Sequence, residues 1–512
     1  MAEASEGPAA APKSEPPTSV PPTSGPPTSG PPTSGPPTSG PPTSGPLLAA
    51  TITSKKRKGF VSPASSFVDN VKLESEYFTE EGRQQAQFYD PYAERKIKKP
   101  ITDSQTIIHM LKGSVGAGIL AMPIAFSHAG VAVSLVGSSL IASLVIYATD
   151  TLLNMQLIQC RRLRVPFLTL PRSMKIGLLN GPRPLKKLAL FAPCLVDFFL
   201  VTYQLGTCTA YVIFIAKTLK NLAEPRITEN VHLNYYLLMI FIPVVLINYI
   251  RNLKKLTVVS LTANILTIFA FSCCFYYIFG VGPFRYQETN LVSSVTTWPL
   301  FVGTSLFALY TIGVLIVLEH NMEKPQHFLG AKGILPMGLT VVAVLYILIG
   351  FFGYVKYGNS GVRETIFASL PKNEWLSLTA EGVYGICIFG THPLQCYVSL
   401  EIIWGNYLVK HIKNPERECI VEYILRTFCV FITFVGAVLI PHVDIMISLV
   451  GAFCLSTLGM ICPFLLELCT LWPDQLGRYY YIIVKDIVLI ILGFGILIMG
   501  TYTSLYSFIS SY

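Results

Sequence analysis

From about residue 104 onward, apolar residues recur in runs of about twenty, and short polar segments separate the runs. As an α-helix, a run of that length crosses the hydrocarbon core of a bilayer, which is about 30 Å thick. Lipid cannot pair with backbone groups, so spans of this kind must be helical. The pattern predicts an all-α polytopic membrane protein with about 11 transmembrane helices. They lie at residues 104–127, 131–155, 190–217, 234–250, 257–280, 298–318, 334–355, 377–403, 421–440, 445–466 and 482–507.

Glycines interrupt the first of these runs. Gly113, Gly116 and Gly118 fall near its middle, and His109 and Lys112 come just before them. Backbone groups freed by a loosened helix are tolerated at membrane depth only where they face protein, water or a ligand. Secondary transporters build their substrate sites at the membrane midplane from discontinuous helices of this kind. The first run therefore indicates a transport site.

The sixth run, residues 298–318, also combines small and polar residues at mid-depth. It contains Gly303, Tyr310, Thr311 and Gly313. If runs one to five and six to ten form two inverted five-helix repeats, the first and sixth helices are equivalent, and both are broken. The alternative is that these glycines only allow close helix packing. The sixth run alone does not decide between the two interpretations.

Composition separates the N-terminal part of the chain from the rest. The chain is 52% hydrophobic and 13% charged, whereas soluble domains average about 25% charged residues. Residues 16–46 repeat Pro-Pro-Thr-Ser-Gly, a composition that cannot build a core. We therefore expect a disordered cytoplasmic tail at residues 1–99 and a transmembrane transporter domain at residues 100–512. The tail is either a platform for tail-binding proteins or an unselected expansion.

The net charge of +9 is explained by topology rather than by nucleic acid. Loops on the side of the N-terminus hold about 18 Lys and Arg, against about 7 on the other side. This bias predicts a cytoplasmic N-terminus and contact with anionic lipid of the bilayer. The sequence leaves open whether the membrane is the plasma membrane or that of endosomes or lysosomes. The 12 cysteines lack metal-ligand spacing, and neither a nucleophile–base set nor a phosphate loop is found, which argues against an enzyme.

Three motifs carry a resemblance to a known family. They are TIIHMLKGSVGAGILAMP at residues 106–123, VDFFLVTYQLG at residues 196–206 and GVLIVLEHNMEKP at residues 313–325. The chain thereby resembles the proton-coupled amino-acid transporters of the amino acid/auxin permease family over residues 100–510. The resemblance implies an eleven-helix inverted-repeat fold and uptake of small neutral amino acids. It also implies a proton as coupling ion, no other cofactor, and a role in proton coupling for His109. Where many members read Phe-Glu-Gly-Ile-Gly, this chain reads Leu-Tyr-Thr-Ile-Gly at residues 309–313.

An amino-acid substrate presents a carboxylate and an ammonium group. The carboxylate needs N–H donors at a half-helix N-terminus, which the segment from Gly116 onward can supply. The ammonium needs acceptors, such as unwound carbonyls or hydroxyl groups. The predicted substrate-binding residues are Gly113, Ser114, Gly116, Gly118, Tyr310, Thr311 and Gly313, and the supporting residues are Asp197, Tyr203, Glu319 and His392. The alternative functions are an amino-acid-binding nutrient sensor and a facilitator or exchanger without proton coupling.

Overall fold

Helices form almost all of the regular structure in the computed structural model. It describes residues 89–510 except 96–99, 115, 225–230, 252, 311, 331, 410–414, 474–475 and 478–479. Most of the predicted tail, with its Pro-Pro-Thr-Ser-Gly repeats, lies outside the described residues, as do Thr311 and the side chain of Lys112. The described residues all belong to one compact unit.

The first half of the described chain holds eight helices and one isolated helical turn. The helices are α1 (Asp103–Ser114), α2 (Ala117–Leu120), α3 (Met122–Ala129), α4 (Val131–Leu163), α5 (Leu170–Asn180), α6 (Ala192–Ala223), α7 (Leu233–Asn248) and α8 (Leu253–Gly280). The turn Arg183–Lys186 leads into a 3₁₀ turn at Lys187–Leu190. Three basic side chains in these two turns suit a polar connection rather than a span.

The second half contains eight further helices. They are α9 (Trp298–Leu309), α10 (Ile312–Asn321), α11 (Ile334–Gly361), α12 (Trp375–Ile403), α13 (Pro415–Leu439), α14 (Val443–Val450), α15 (Cys462–Leu471) and α16 (Tyr481–Ser510). Short 3₁₀ turns lie at Tyr286–Glu288, Val295–Thr297, Pro325–His327 and Phe367–Ser369. Wide π turns extend α12 at Trp404–Leu408 and join α14 to α15 at Gly451–Leu455 and Thr457–Ile461.

Eight stretches of helix in the described residues are long and apolar enough to cross a membrane. Helix α7 and residues Ile265–Gly280 of α8 are shorter apolar helices. The first predicted run is in neither group, because the structure divides it into α1, α2 and α3. The predicted all-α polytopic architecture is thus confirmed, and the count of 11 spans stays a prediction.

Small residues bring the buried helices close together. A β-carbon on Gly303 of α9 would lie 2.5 Å from the carbonyl oxygen of Ser448 on α14, and one on Gly451 would lie 1.9 Å from the carbonyl oxygen of Gly303. By contrast, α16 leaves large apolar side chains such as Ile491 and Ile509 exposed. Extensive exposed apolar surface of this kind marks a membrane-facing side.

Candidate functional site

The first span is interrupted where the sequence places its glycines. Helix α1 ends at Ser114, and α2 begins at Ala117. Between them, Gly116 has φ −137° and ψ −153°, which is extended backbone. The helical path then continues from α2 to α3 through Ala121, whose backbone is still in the right-handed helical region. Gly116 thus precedes α2 as its N-cap residue, and its extended backbone separates α2 from α1.

The sixth span is interrupted at Tyr310. Helix α9 ends at Leu309, Tyr310 has φ −98° and ψ 105°, and α10 resumes at Ile312. The amide of Tyr310 still donates to the carbonyl of Leu306, at 3.0 Å. Tyr310 is thus the last residue held by α9, and its own backbone leads out of the helix.

The two breaks contact each other on both sides of the interruption. A β-carbon on Gly118 of α2 would lie 2.5 Å from the Cα atom of Ala308 on α9. One on Gly113 of α1 would lie 2.8 Å from Cγ1 of Val314 on α10. The first half of one broken span therefore packs against the second half of the other, and the interruptions face each other.

Three buried tyrosines from other helices lie around the first break, and none of them is distinguished by the sequence pattern. Tyr346 of α11 donates its hydroxyl hydrogen bond to the carbonyl of Ser114. Tyr384 of α12 donates to the carbonyl of Gly116, at 3.4 Å. The hydroxyl of Tyr211 on α6 lies 3.7 Å from where a β-carbon on Gly116 would be. Two carbonyls expected to receive the substrate ammonium are therefore paired with tyrosines in this structure.

The side chain of Tyr310 points away from the first break. It is 1% exposed, and its hydroxyl donates to the carbonyl of Leu458, at 2.9 Å. A β-carbon on Gly459 would lie 2.6 Å from the Tyr310 ring, so the ring packs closely against the π turn Thr457–Ile461. The backbone of Tyr310, rather than its side chain, therefore lies near the break.

The other predicted residues of the two breaks lie as follows. Ser114 is buried, and its hydroxyl donates to the carbonyl of Met110, at 2.8 Å. Gly313 is exposed, with no described atom within 4 Å of where its β-carbon would be. His109 lies on the exposed side of α1, while the neighbouring Met110 is buried. The proton-coupling role predicted for His109 stays a prediction.

Two of the supporting residues, Tyr203 and Asp197, lie on α6, and Asp197 is the farther of the two from the breaks. Tyr203 packs edge-on against Phe307 of α9, with ring centroids 6.0 Å apart. Asp197 is buried, and its Oδ2 atom accepts hydrogen bonds from Asn406 and Tyr407, both at 3.0 Å. Asp197 lies 14 residues before Tyr211, which is about 20 Å along the helix. Its contacts therefore anchor the π turn Trp404–Leu408 rather than line the breaks.

Glu319 belongs to a buried ion pair near the end of α10. Its Oε1 atom lies 2.9 Å from Nη1 of Arg95, and the two side chains are 9% and 6% exposed. Arg95 also donates to the carbonyl of Pro166, at 3.1 Å. The chain after Arg95 is tied down as well, because Ile101 pairs with Met322 in a parallel bridge. The segment before α1 thus covers this end of α10, beside a cavity of about 360 Å³.

His392 is fully buried in α12 next to Pro393. Its Nδ1 atom lies 3.1 Å from the side-chain nitrogen of Asn248, whereas Nε2 has no partner among the described residues. His392 comes eight residues after Tyr384, which is about 12 Å along the helix. Its side-chain contact joins α12 to α7, and its carbonyl accepts from the thiol of Cys208 on α6 at 3.9 Å.

Comparison with known proteins assigns the family. Residues 99–506 match the family described as transmembrane amino acid transporter protein. The chain belongs to this family. It is therefore an amino acid transporter and not an enzyme, and the resemblance seen in its motifs is confirmed.

Two animal relatives show how far the similarity extends. The transporter is 33% identical over 424 residues to the proton-coupled amino acid transporter-like protein pathetic of Drosophila melanogaster. That match covers 83% of this chain and 89% of the relative. It is 24% identical over 462 residues to the probable amino acid transporter skat-1 of Caenorhabditis elegans, covering 85% of this chain and 98% of the relative. Among solved structures, the inward-facing conformation of Mhp1 matches with a TM-score of 0.49 and 11% identity, covering 82% of this chain and 91% of that one.

Proposed function

We propose that this transporter moves small neutral amino acids across a membrane together with protons and binds them between its two helix breaks. The contact of Gly118 with Ala308 carries this proposal, because it brings the two interruptions together in the protein interior. Discontinuous helices that meet in this way supply the free backbone groups of a transport site. Gly113, Gly116, Gly118, Gly313 and the backbone of Tyr310 are the groups assigned to the site.

The substrate carboxylate is assigned to the start of the helical segment formed by α2 and α3. Gly116 has no side chain, so a ligand can approach its backbone closely. The ammonium is assigned to the carbonyls of Ser114 and Gly116. Since Tyr346 and Tyr384 donate to these carbonyls in the structure, the substrate must compete with the tyrosine hydroxyls for them.

The described side chains around the breaks favour a small substrate without a charged side chain. Tyr211, Tyr346 and Tyr384 are buried and uncharged at neutral pH. The close approach of Gly118 to Ala308 leaves no room for a methyl group between α2 and α9. A charged substrate side chain would lose its hydration here without gaining a partner of opposite charge.

His109 is the group that we assign to proton coupling. It precedes Gly113 by four residues, so both lie on the same face of α1. Histidine is the side chain most often used to carry protons near neutral pH, which suits it to proton coupling. The name of the Drosophila relative, which describes a proton-coupled transporter-like protein, supports the choice of ion.

The proposal includes the predicted topology. We infer 11 spans: the broken segment α1–α3, the eight long apolar stretches, and the shorter α7 and α8. The matching breaks at Gly116 and Tyr310 support two inverted five-helix repeats. The excess of Lys and Arg on one side supports a cytoplasmic N-terminus, in the plasma membrane or an endosomal or lysosomal membrane.

Uptake by the purified protein in liposomes tests this function. A panel of radiolabelled amino acids should show uptake of small neutral ones, with accumulation when the outside is more acidic. Equal uptake with and without the gradient would indicate an uncoupled exchanger. Saturable binding without uptake would indicate a nutrient sensor. The absence of both binding and uptake would contradict the proposal.

A further inference from the structure

A cavity of about 610 Å³ lies beside the end of α6 and the start of α14. Its polar lining includes Lys217, Lys220 and Glu364, and its apolar lining includes Ile124 and Phe214. In the proposed topology, it lies on the opposite face of the membrane from Arg95. Arg95 contacts Pro166 just before α5, whereas Lys217 comes at the far end of α6, the next span along the chain.

Aromatic side chains link the wall of this cavity to the first helix break. The ring of Phe214 packs edge-on against Tyr384, with centroids 5.7 Å apart. Tyr384 also packs against Phe367, at 4.8 Å, and its hydroxyl reaches the carbonyl of Gly116. A rotation of these rings would connect the cavity to the proposed substrate site.

Glu364 ties three parts of the protein together beside this cavity. It lies between α11 and α12, and both carboxylate oxygens are 2.5 Å from Nζ of Lys217 on α6. Its Oε1 atom is 2.9 Å from Nδ1 of His442, and its Oε2 atom accepts from the amide of Val443 at 3.0 Å. Val443 is the first residue of α14, so the carboxylate also caps that helix.

Helix α14, which Glu364 caps, is in turn bound to the sixth span. The hydroxyl of Ser448 on α14 donates to the carbonyl of Leu300 on α9, at 3.1 Å. Gly303 of α9 is in tight contact with the same residue, Ser448. Movement of α14 away from Glu364 would therefore displace α9, whose end forms one of the two breaks.

We propose that this cavity is the entrance of the substrate pathway on the face opposite Arg95, and that Lys217, Glu364 and His442 form a latch that holds this entrance closed. The inference rests on the transport function proposed above. It adds the route by which the amino acid reaches the breaks and the groups that control it. Opening requires the Glu364 carboxylate to release Lys217, His442 or both.

Protonation of His442 strengthens this latch. The groups that face His442 are Glu364, Lys217 and Asp444. The hydrogen bond to Glu364 raises the pKa of His442, against the opposing effect of burial. For Glu364, burial alone would raise the pKa, but the hydrogen bond from His442 and the ammonium of Lys217 lower the pKa to about 2. Glu364 therefore stays ionised, and the latch loses one of its two cations as the pH rises through the raised pKa of His442.

A cysteine in the cavity wall makes the state of the latch measurable. Ala368 lines the cavity and is half-buried, so we choose Ala368→Cys as a reporter for a membrane-impermeant thiol reagent. Glu364→Gln and His442→Gln are introduced into this background. The matched control is Lys220→Gln, because Lys220 lines the same cavity but pairs with Glu224 of its own helix turn, at 3.5 Å. The parent without the reporter corrects for native cysteines.

Both latch variants should raise the rate of modification about tenfold, within the usual range of coupling between sites. The increase for His442→Gln should be large near about pH 6 and small near about pH 9, where the native imidazole is neutral. Dividing each rate by that of the reporter alone at the same pH removes the titration of the thiol itself. Modification should also block uptake.

Equal rates of thiol modification in the latch variants and in Lys220→Gln would contradict the latch. An increase in the His442→Gln variant that does not depend on pH would contradict it as well. If uptake continued after full modification of the thiol, the cavity would not be the entrance of the substrate pathway. If Glu364→Gln fails to fold, Lys217→Gln takes its place. Modification does not require transport, so a parent protein that takes up no amino acid refutes the proposed function separately.

Discussion

Gly118 and Ala308 hold the two helix breaks together, since a β-carbon on Gly118 would lie 2.5 Å from the Cα atom of Ala308. Real β-carbons essentially never approach a backbone atom so closely. The site therefore depends on a residue without a side chain at the start of the second half of the first span. A larger residue at position 118 would force α2 away from α9 and change the spacing of the groups proposed to bind substrate.

Gly118→Ala should lower the initial rate of uptake about fivefold or more, because overpacking of a well-packed interior costs about 1–3 kcal/mol. Gly495→Ala is the matched control, because no described atom lies within 4 Å of a β-carbon there. Rates are compared at equal amounts of folded protein in liposomes. Equal activity of the two variants would show that the close contact is not needed for transport.

Tyr384→Phe should tighten substrate binding. The substitution keeps the ring that packs against Phe214 but removes the hydroxyl that donates to the carbonyl of Gly116. The substrate ammonium would then meet less competition, and the half-saturation concentration should fall about fivefold, equivalent to about 1 kcal/mol. Tyr277→Phe is the control, since it removes a hydroxyl that donates to Glu374 instead. Weaker binding in Tyr384→Phe would mean that the hydroxyl itself contacts the substrate.

Tyr310 should tolerate loss of its hydroxyl better than gain of a carboxylate. Tyr310→Phe gives up one buried hydrogen bond to the carbonyl of Leu458, a loss of about 1 kcal/mol in the free energy of unfolding. Tyr310→Glu places a carboxylate next to that same carbonyl, and two acceptors cannot pair. We expect a small decrease in melting temperature for the first variant and loss of folded protein for the second. A stable, active Tyr310→Glu variant would show that the side chain can reach the substrate site instead.

The glycines in the sequence predicted both the existence and the approximate position of the breaks. Gly116 and Gly118 could be recognised because loosened backbone at membrane depth needs partners. Tyr346 and Tyr384 could not be recognised in this way. Each lies in an ordinary apolar run, and its role depends on which helices are neighbours, which the pattern of a single chain does not specify. For the same reason, the sequence suggested that Tyr310 lines the site, whereas the structure directs its side chain to Leu458.

Charged residues outside the predicted spans were harder still to interpret. Arg95 belongs to the basic stretch that precedes the first span in the sequence, yet its side chain is buried and paired with Glu319. Glu364 and His442 are 78 residues apart in the chain, and each alone resembles an ordinary loop residue. They meet because the connection between α11 and α12 packs beside the connection between α13 and α14.

Arg95→Met should destabilise the protein strongly, because it leaves the buried carboxylate of Glu319 without its cation. Removing one partner of a buried pair typically costs about 3–5 kcal/mol. Adding Glu319→Gln should recover much of the lost melting temperature, since it removes the uncompensated charge. Arg285→Met is the control, because its pair with Glu288 is exposed and exposed pairs contribute little. Equal melting temperatures for Arg95→Met and the control would contradict a stabilising role for the pair.

His109→Ala should abolish accumulation driven by a pH gradient while exchange of labelled for unlabelled amino acid continues. The physical reason is that exchange needs only the substrate site, whereas accumulation needs a group that takes up a proton on one side and releases it on the other. His109 lies on the exposed side of α1. His232→Ala is the control, since His232 is also exposed but lies at the start of α7. Measuring both fluxes in the same liposomes separates coupling from folding, and unchanged accumulation in His109→Ala would assign the proton to another group.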